Sequence, residues 1–324
     1  MPVRKEKRMK KTAGSVLAAA AVLGLLITAF AVSDYTMTPR QAETLKILGI
    51  LCGMSAVFCF TVGEMAQNFS QMDKLWSLLP IAYTWIVAAR GGMKLRLVVF
   101  ALIVTAWGIR LTINFARKGA YRLKFWDGEE DYRWSIVRRN PIFRKRFAWT
   151  LFDLFFISIY QNALVLAICL PAAACMESTA AIGPWDLAAL VAAVLFLTLE
   201  TAADESQWRF YRKRKELTVG GRKLEEIPAP YCLGFNTTGP WNRMRHPNYL
   251  GEQGIWLSLY LFTAGAGVCR AGIFHWSMAG ALLLVFLFMG SSSLGEKISG
   301  GKYPRYREYV EKVWKYVPAH KFRN

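Results

Sequence analysis

Eight apolar stretches set the terms for any fold this chain can adopt. They run over about 15–32, 45–63, 76–90, 97–115, 148–174, 184–202, 248–266 and 271–291. About 20 mostly apolar residues suffice for a helix to cross the hydrocarbon core of a bilayer. In lipid every backbone N–H and C=O must be satisfied within the protein, so a span is a helix or part of a closed barrel. Stretches of this length and composition read as helices. The third is short and the fifth long. The expectation is an all-α, polytopic integral membrane bundle of about eight transmembrane helices. It forms a single membrane domain over 1–324, with no segment polar enough to fold apart as a soluble domain.

Charge gives the bundle an orientation. The chain is 54% hydrophobic yet carries a formal net charge of +19. With residue 1 inside, eight spans place 1–14, 64–75, 116–147, 203–247 and 292–324 in the cytoplasm. Four of those five segments are rich in Lys and Arg, including Arg144-Lys145-Arg146 and Arg212-Lys213-Arg214-Lys215. This is the positive-inside pattern, and it predicts cytoplasmic N and C termini. The 90–96 turn breaks the pattern with Arg90, Lys94 and Arg96 outside. Either that turn is buried in protein or the third span does not cross fully. Topology and lipid attraction account for the cations, so no nucleic-acid partner is expected. The first span has a basic leader and ends Ala29-Phe30-Ala31, like a cleavable signal, but further spans follow at once and a retained helix is expected.

The six cysteines form no CxxC, and His246, His275 and His320 lack metal-ligand spacing, so no structural metal is expected. Phosphate-binding glycine motifs, a serine elbow and HExxH are all missing. Any nucleotide would be gripped by side chains between helices.

Three expected helices carry polar stripes at their inside ends. The fourth ends with Arg110, Asn114 and Arg117, and the sixth with Glu200, Asp204, Gln207 and Tyr211, each at helical spacing. The seventh opens within Thr238-Gly239-Pro240-Trp241 through Arg245-His246-Pro247-Asn248-Tyr249-Leu250-Gly251-Glu252. Pro247 suits the first turn of a helix, and Asn248 and Glu252 then share a face. An intramembrane carboxylate is expensive and marks a functional site by default. Together the stripes are expected to line a polar pocket open to the cytoplasm. Arginines there suit phosphate, and carboxylates suit ribose hydroxyls or an amide. The acidic, aromatic loop Trp126–Trp134 could be a lid over the pocket or a solvated turn. Tyr303, Tyr306 and Tyr309 repeat every three residues, giving the tail one aromatic face that could lie on the bilayer or close the pocket.

In their order and spacing several segments resemble the DUF1295 family of membrane proteins, which is related to the C-terminal domain of steroid 5-alpha-reductases. They are Gln71-Met72-Asp73-Lys74-Leu75-Trp76-Ser77, Trp107-Gly108-Ile109-Arg110-Leu111-Thr112 with Asn114 and Arg117-Lys118-Gly119, Glu130-Asp131-Tyr132-Arg133-Trp134, Glu200-Thr201 with Ala203-Asp204, and Arg245 to Glu252. The resemblance covers about 64–318, leaving 1–63 as N-terminal helices. It implies an NADPH-dependent reductase acting on an activated carbon–carbon double bond of a lipophilic, steroid-like or enone substrate that enters from the bilayer. The implied cofactor residues are Arg110, Asn114, Arg117, Glu200, Asp204, Arg245, His246, Asn248, Tyr249 and Glu252. Glu64 lies in the region of the glutamate that grips the keto oxygen in those reductases, although its local sequence differs. Tyr83 and Asp73 are the candidates to replace their tyrosine. Hydride passes to the beta carbon, the carbonyl oxygen must be polarised, and a proton must reach the alpha carbon.

The stretch from Gly239-Pro240-Trp241 to Gly251, with Glu296 and the tyrosine-rich tail, also resembles isoprenylcysteine carboxyl methyltransferases. There the cofactor would be S-adenosylmethionine. A third expectation is a non-enzymatic lipid-binding membrane protein. The expected location is the inner membrane of a bacterium, with membrane lipids as neighbours.

Overall fold

The computed structural model describes residues 20–318 and Phe322. The basic leader, the 1–14 segment and His320 lie outside the described residues. Helices α1 (Ala20–Ala31), α2 (Pro39–Ala66), α3 (Gln71–Leu75), α4 (Leu79–Arg90), α5 (Leu95–Ala116), α6 (Tyr132–Arg138) and α7 (Arg146–Phe152) follow in order. A π-helical segment, Asp153–Tyr160, then joins α7 to α8 (Gln161–Ala174). After it come α9 (Pro184–Leu217), α10 (Pro247–Tyr260), α11 (Phe262–Gly265), α12 (Ala279–Lys302) and α13 (Tyr306–Lys312). Among the described residues there are two isolated β-bridges and no strand.

Five helical stretches are long and apolar enough to cross a membrane: Pro39–Ala66, Leu95–Ala116, Arg146–Ala174, Pro184–Leu217 and Trp276–Lys302. The expected third and seventh spans correspond to α4 and α10, which are shorter, and α1 is described from Ala20 onward. α4 ends after 12 residues at the Gly91-Gly92 turn, and α10 ends after 14, one residue before α11. Two helices overrun their expected ends. α9 continues through its basic run because Glu, Lys, Arg and Gln are good helix formers, and Glu205–Arg209 pairs at i,i+4. α12 continues past Ser291 to Lys302, so Glu296 sits on a helix and not in a loop. α2 begins with a capping box, Thr38 with Gln41, and Pro39 in the first turn. Its Ile50, Met54 and Val57 are exposed, as suits a surface facing lipid.

The chain divides into two compact units, Met1–Ala189 with Leu259–Leu284, and Leu190–Ser258 with Val285–Asn324. In the first unit, the cations of the 90–96 turn are absorbed by protein. Arg96 is 5% exposed and makes a bidentate pair with Asp186, Nε–Oδ1 2.6 Å and Nη2–Oδ2 2.9 Å. It also donates to the carbonyls of Ala180, Ala181 and Gly265, and Lys94 Nζ donates to those of Met176 and Ser178. Protein thus buries Arg96, and α4, which precedes the turn, is also short at 12 residues.

The same unit folds the 120–134 loop onto α3. Lys74, fully buried, donates to the Phe125 and Asp127 carbonyls at 2.5 and 2.8 Å. Gln71 Nε2 donates to Trp126 O and Asn68 Nδ2 to Gly128 O, each at 3.1 Å. Gly128 has φ 115°, and a Cβ there would lie 2.1 Å from Ala120 O, so the turn admits only glycine. The loop backbone is therefore docked on α3, while Trp126 and Tyr132 stay exposed.

In the second unit, the tyrosine face of the tail is core. Tyr303, Tyr306 and Tyr309 are 7%, 7% and 1% exposed and pack on Leu233, Phe235, Val313 and Phe322. Phe235 meets Tyr306 edge-on, with ring centroids 5.0 Å apart. This face points into protein, so it does not lie on a bilayer.

Candidate functional site

The second unit brings α9 and α10 into backbone contact. A Cβ on Gly251 would lie 2.6 Å from Glu200 Cβ and 3.0 Å from Glu200 N, so a side chain there would push the helices apart. Around this contact Glu200 and Glu252 are 3% and 4% exposed. Asp204 lies one helical turn beyond Glu200, and Asn248 one turn before Glu252, both toward the loop end of their helices. Trp256 Nε1 donates to Glu252 Oε1 at 3.3 Å. Gln207 Oε1 and Asn248 Oδ1 are buried acceptors with no hydrogen-bond partner. The loop that leads into α10 is tied to α9. Trp241 Nε1 donates to Ala203 O at 2.8 Å, and Asn236 Nδ2 to Ser206 Oγ at 3.1 Å.

Beside this lies a buried charge cluster. Glu296 Oε1 accepts from Arg245 Nε at 2.9 Å and from His246 Nε2 at 3.1 Å. The Arg245 and Glu296 side chains are 7% and 8% exposed. Arg245 also donates to the carbonyls of Val310 and Val313, and the Arg245 and His246 amides donate to Trp314 and Lys315 carbonyls at 2.9 and 3.0 Å. The guanidinium therefore fastens the tail to the start of α10. Burial pulls the His246 imidazole below its usual range against the opposing pull of Glu296, so the ring is neutral at pH 7, with the proton on Nε2. Tyr249 stacks on His246 with ring centroids 5.3 Å apart.

Of the expected cofactor residues, Glu200, Asp204, Arg245, His246, Asn248, Tyr249 and Glu252 belong to the second unit, and Arg110, Asn114 and Arg117 lie at the end of α5 in the first. Glu296 completes the Arg245–His246 cluster from 50 residues away. Its only signal in the sequence was the methyltransferase-like pattern.

The three candidate catalytic residues all belong to the first unit. Glu64 pairs with Arg146 and accepts from Thr150 Oγ1 at 3.0 Å. Asp73 accepts from Trp134 Nε1 at 2.8 Å and lies 3.7 Å from Arg133. Burial pushes the Asp73 carboxyl above the usual carboxylate range, and the Arg133 guanidinium offsets only part of that. Burial would also raise the neighbouring Asp131, but Arg133 at 2.8 Å holds it below its usual value. Tyr83 is fully buried on α4, and its hydroxyl meets the weakly bonding Cys52 thiol. Among the described residues no group of three His, Cys, Asp or Glu is placed to hold a metal ion.

A family model described as a protein of unknown function, DUF1295, matches residues 59–313. The chain is also similar to "Uncharacterized protein C594.04c" of Schizosaccharomyces pombe, 36% identical over 273 residues, which is 79% of this chain and 74% of the relative. That relative is eukaryotic and lends no support to the expected bacterial inner membrane. No solved structure matches the chain.

Proposed function

We propose that this chain, which belongs to the DUF1295 family, is a membrane-embedded NADPH-dependent reductase of an activated carbon–carbon double bond in a lipophilic molecule. One observation carries the reading. In the second unit Glu200, Asp204, Asn248 and Glu252 gather about the Gly251 contact, and α9 then continues directly into Arg209, Arg212, Lys213 and Arg214. Asp204 and Arg212 are eight residues apart on one helix, about 12 Å along its axis. Carboxylates and amides suit ribose and nicotinamide groups, and arginines beyond them suit phosphates. NADPH carries both kinds of group. The unpartnered Asn248 Oδ1 and Gln207 Oε1 are acceptors that an amide or a ribose hydroxyl satisfies.

The bound cofactor would supply the hydride. The chain's part is to hold it and exclude water. We take the bundle to have about eight crossings, α4 and α10 being the short ones, with both termini cytoplasmic as the loop cations imply. Membrane lipids surround it, and the substrate comes from among them.

The Arg245–His246–Glu296 cluster favours a second reading, an S-adenosylmethionine-dependent methyltransferase, because it joins the residues of that family's pattern. S-adenosylmethionine has no phosphate and carries a sulfonium cation, so its one carboxylate is the only group that would use the basic end of α9. Enone-dependent oxidation of NADPH by the purified protein, lost in Asn248→Ala, supports the reductase. Methyl transfer to a lipid acceptor without NADPH oxidation would replace it.

A further inference from the structure

Between Asp131 and Asp153 the chain carries six cations and no carboxylate: Arg133, Arg138, Arg139, Arg144, Lys145 and Arg146. The first unit accounts for three of them. Arg133 pairs with Asp131, Nε–Oδ1 2.8 Å. The Arg138 guanidinium lies 4.4 Å from the centroids of both the Phe69 and the Trp149 rings. Arg146 pairs with Glu64 and donates to Gln67 Oε1 at 2.9 Å. The other three, Arg139, Arg144 and Lys145, are exposed and have no carboxylate partner among the described residues.

A turn gathers these three. Asn140 Oδ1 accepts from the Ile142 amide at 3.1 Å, and Asn140 O from the Arg144 amide at 3.0 Å. Arg139 and Lys145 flank that closing contact in the chain. Phe143 packs on Phe152 with ring centroids 4.6 Å apart, which fixes the turn against the protein. The turn lies where two candidate spans end. Arg146 opens Arg146–Ala174, and its partner Glu64 lies close to the end of Pro39–Ala66. From there Phe147, Leu151, Phe155 and Ile159 follow at four-residue steps, 75%, 37%, 59% and 44% exposed. Trp149, between the first two, is 2% exposed and faces inward. An exposed apolar stripe thus runs along the span up to the three cations at its end.

A bilayer supplies one molecule with both matching parts. Acyl chains cover an apolar stripe within the span, and a headgroup phosphate meets cations at its end. Arginine takes phosphate through paired hydrogen bonds, and lysine takes it as a point charge. Net charge then decides between lipids. A zwitterionic headgroup brings its own ammonium against the three cations, whereas an anionic one does not. Nucleic acid would use the cations but leave the stripe bare. Orienting the chain in the membrane needs positive charge on one side only, and does not call for three side chains gathered beside an apolar stripe.

We infer that Arg139, Arg144 and Lys145 hold the headgroup phosphate of an anionic phospholipid whose acyl chains lie along the stripe that starts at Phe147. The inference does not depend on the cofactor reading, and its test contains no NADPH. The full chain in maltoside micelles is titrated with dioleoylphosphatidylglycerol or dioleoylphosphatidylcholine, and lipid adducts are counted by native mass spectrometry. Phosphatidylglycerol should bind about tenfold more tightly. Its affinity should fall about fivefold in Arg144→Gln and about twentyfold in Arg144→Gln with Lys145→Gln, at about fivefold per cation. Arg40→Gln with Lys46→Gln removes equal charge from the other end of α2, about 27 Å or more along the helix from Glu64. At that distance the charges are screened, so this control should keep wild-type affinity. Equal affinity for the two lipids would overturn the site. Equal losses in the two double variants, or glycerol 3-phosphate displacing the lipid at the lipid's own affinity, would do the same. If a variant unfolds, the wild-type comparison of the two lipids still decides.

Discussion

Replacing Glu296 by glutamine tests whether one buried carboxylate holds the second unit's tail in place. Glu296 accepts from Arg245 and His246 at 2.9 and 3.1 Å, and the Arg245–Glu296 pair is more than nine-tenths buried, so water screens it little. Removing one member of a buried pair costs about 3–5 kcal/mol, because the other charge stays buried without compensation. The glutamine oxygen still accepts one hydrogen bond, which puts the expected loss near the lower end, about 3 kcal/mol. At about 1.4 kcal/mol per decade, that is roughly a hundredfold in the folding equilibrium. The loss should be local first, since the same guanidinium grips the Val310 and Val313 carbonyls. Unfolding in mixed detergent micelles measures the energy, and trypsin cleavage at Lys312 and Lys315 measures the release of the tail. The double variant Arg245→Met with Glu296→Leu should recover much of the loss, as apolar replacement of a whole buried pair often does. A Glu296→Gln protein within about 0.5 kcal/mol of wild type, with unchanged trypsin cleavage, would refute the reasoning.

Other expectations follow from the same geometry. Gly251→Ala should cost about 1–3 kcal/mol through overpacking against Glu200 and weaken nucleotide binding with it, read by unfolding and by ligand titration; tight binding in a folded Gly251→Ala protein would separate the helix contact from the site. Because His246 is held below its usual value of 6.5, the unfolded chain takes up a proton that the folded one refuses as pH falls through that value. Stability should therefore decline below about pH 6.5, and His246→Gln should flatten that slope in unfolding midpoints measured across the range. Trp134→Phe removes the indole donor to half-buried Asp73 and should loosen the 120–134 loop, costing about 1.5–3 kcal/mol; hydrogen exchange confined to that loop would show it, and unchanged protection would count against the loop's docking on α3.

The apolar helices were legible because 20-residue apolar runs have few alternatives in physical terms. Helix ends were not. Hydropathy marks where lipid stops, whereas α9 and α12 continue on helix propensity through Leu217 and Lys302. The polar stripe on α10 was readable from the i,i+4 spacing of Asn248 and Glu252, and Gly251 between them proved to be the contact with α9. What local spacing could not supply was partnership across long separations. Asp73 meets Trp134 over 61 residues, and Arg245 meets Glu296 over 51. The tyrosine face of the tail was visible as a face, but its partner Phe235 carries no mark in the sequence, so a membrane-facing role was as open as the buried one observed.

The most direct measurement is thermal stabilisation of the purified full chain in mild detergent by NADPH, NADH and S-adenosylmethionine, side by side. A ligand that binds only the folded state raises its stability by mass action, about 2.7 kcal/mol at a hundred times its dissociation constant. The account predicts a shift with NADPH that Asn248→Ala and Glu252→Gln abolish while remaining folded. A shift with S-adenosylmethionine alone would contradict it and make Arg245 to Glu252, with Glu296, part of a methyltransferase site.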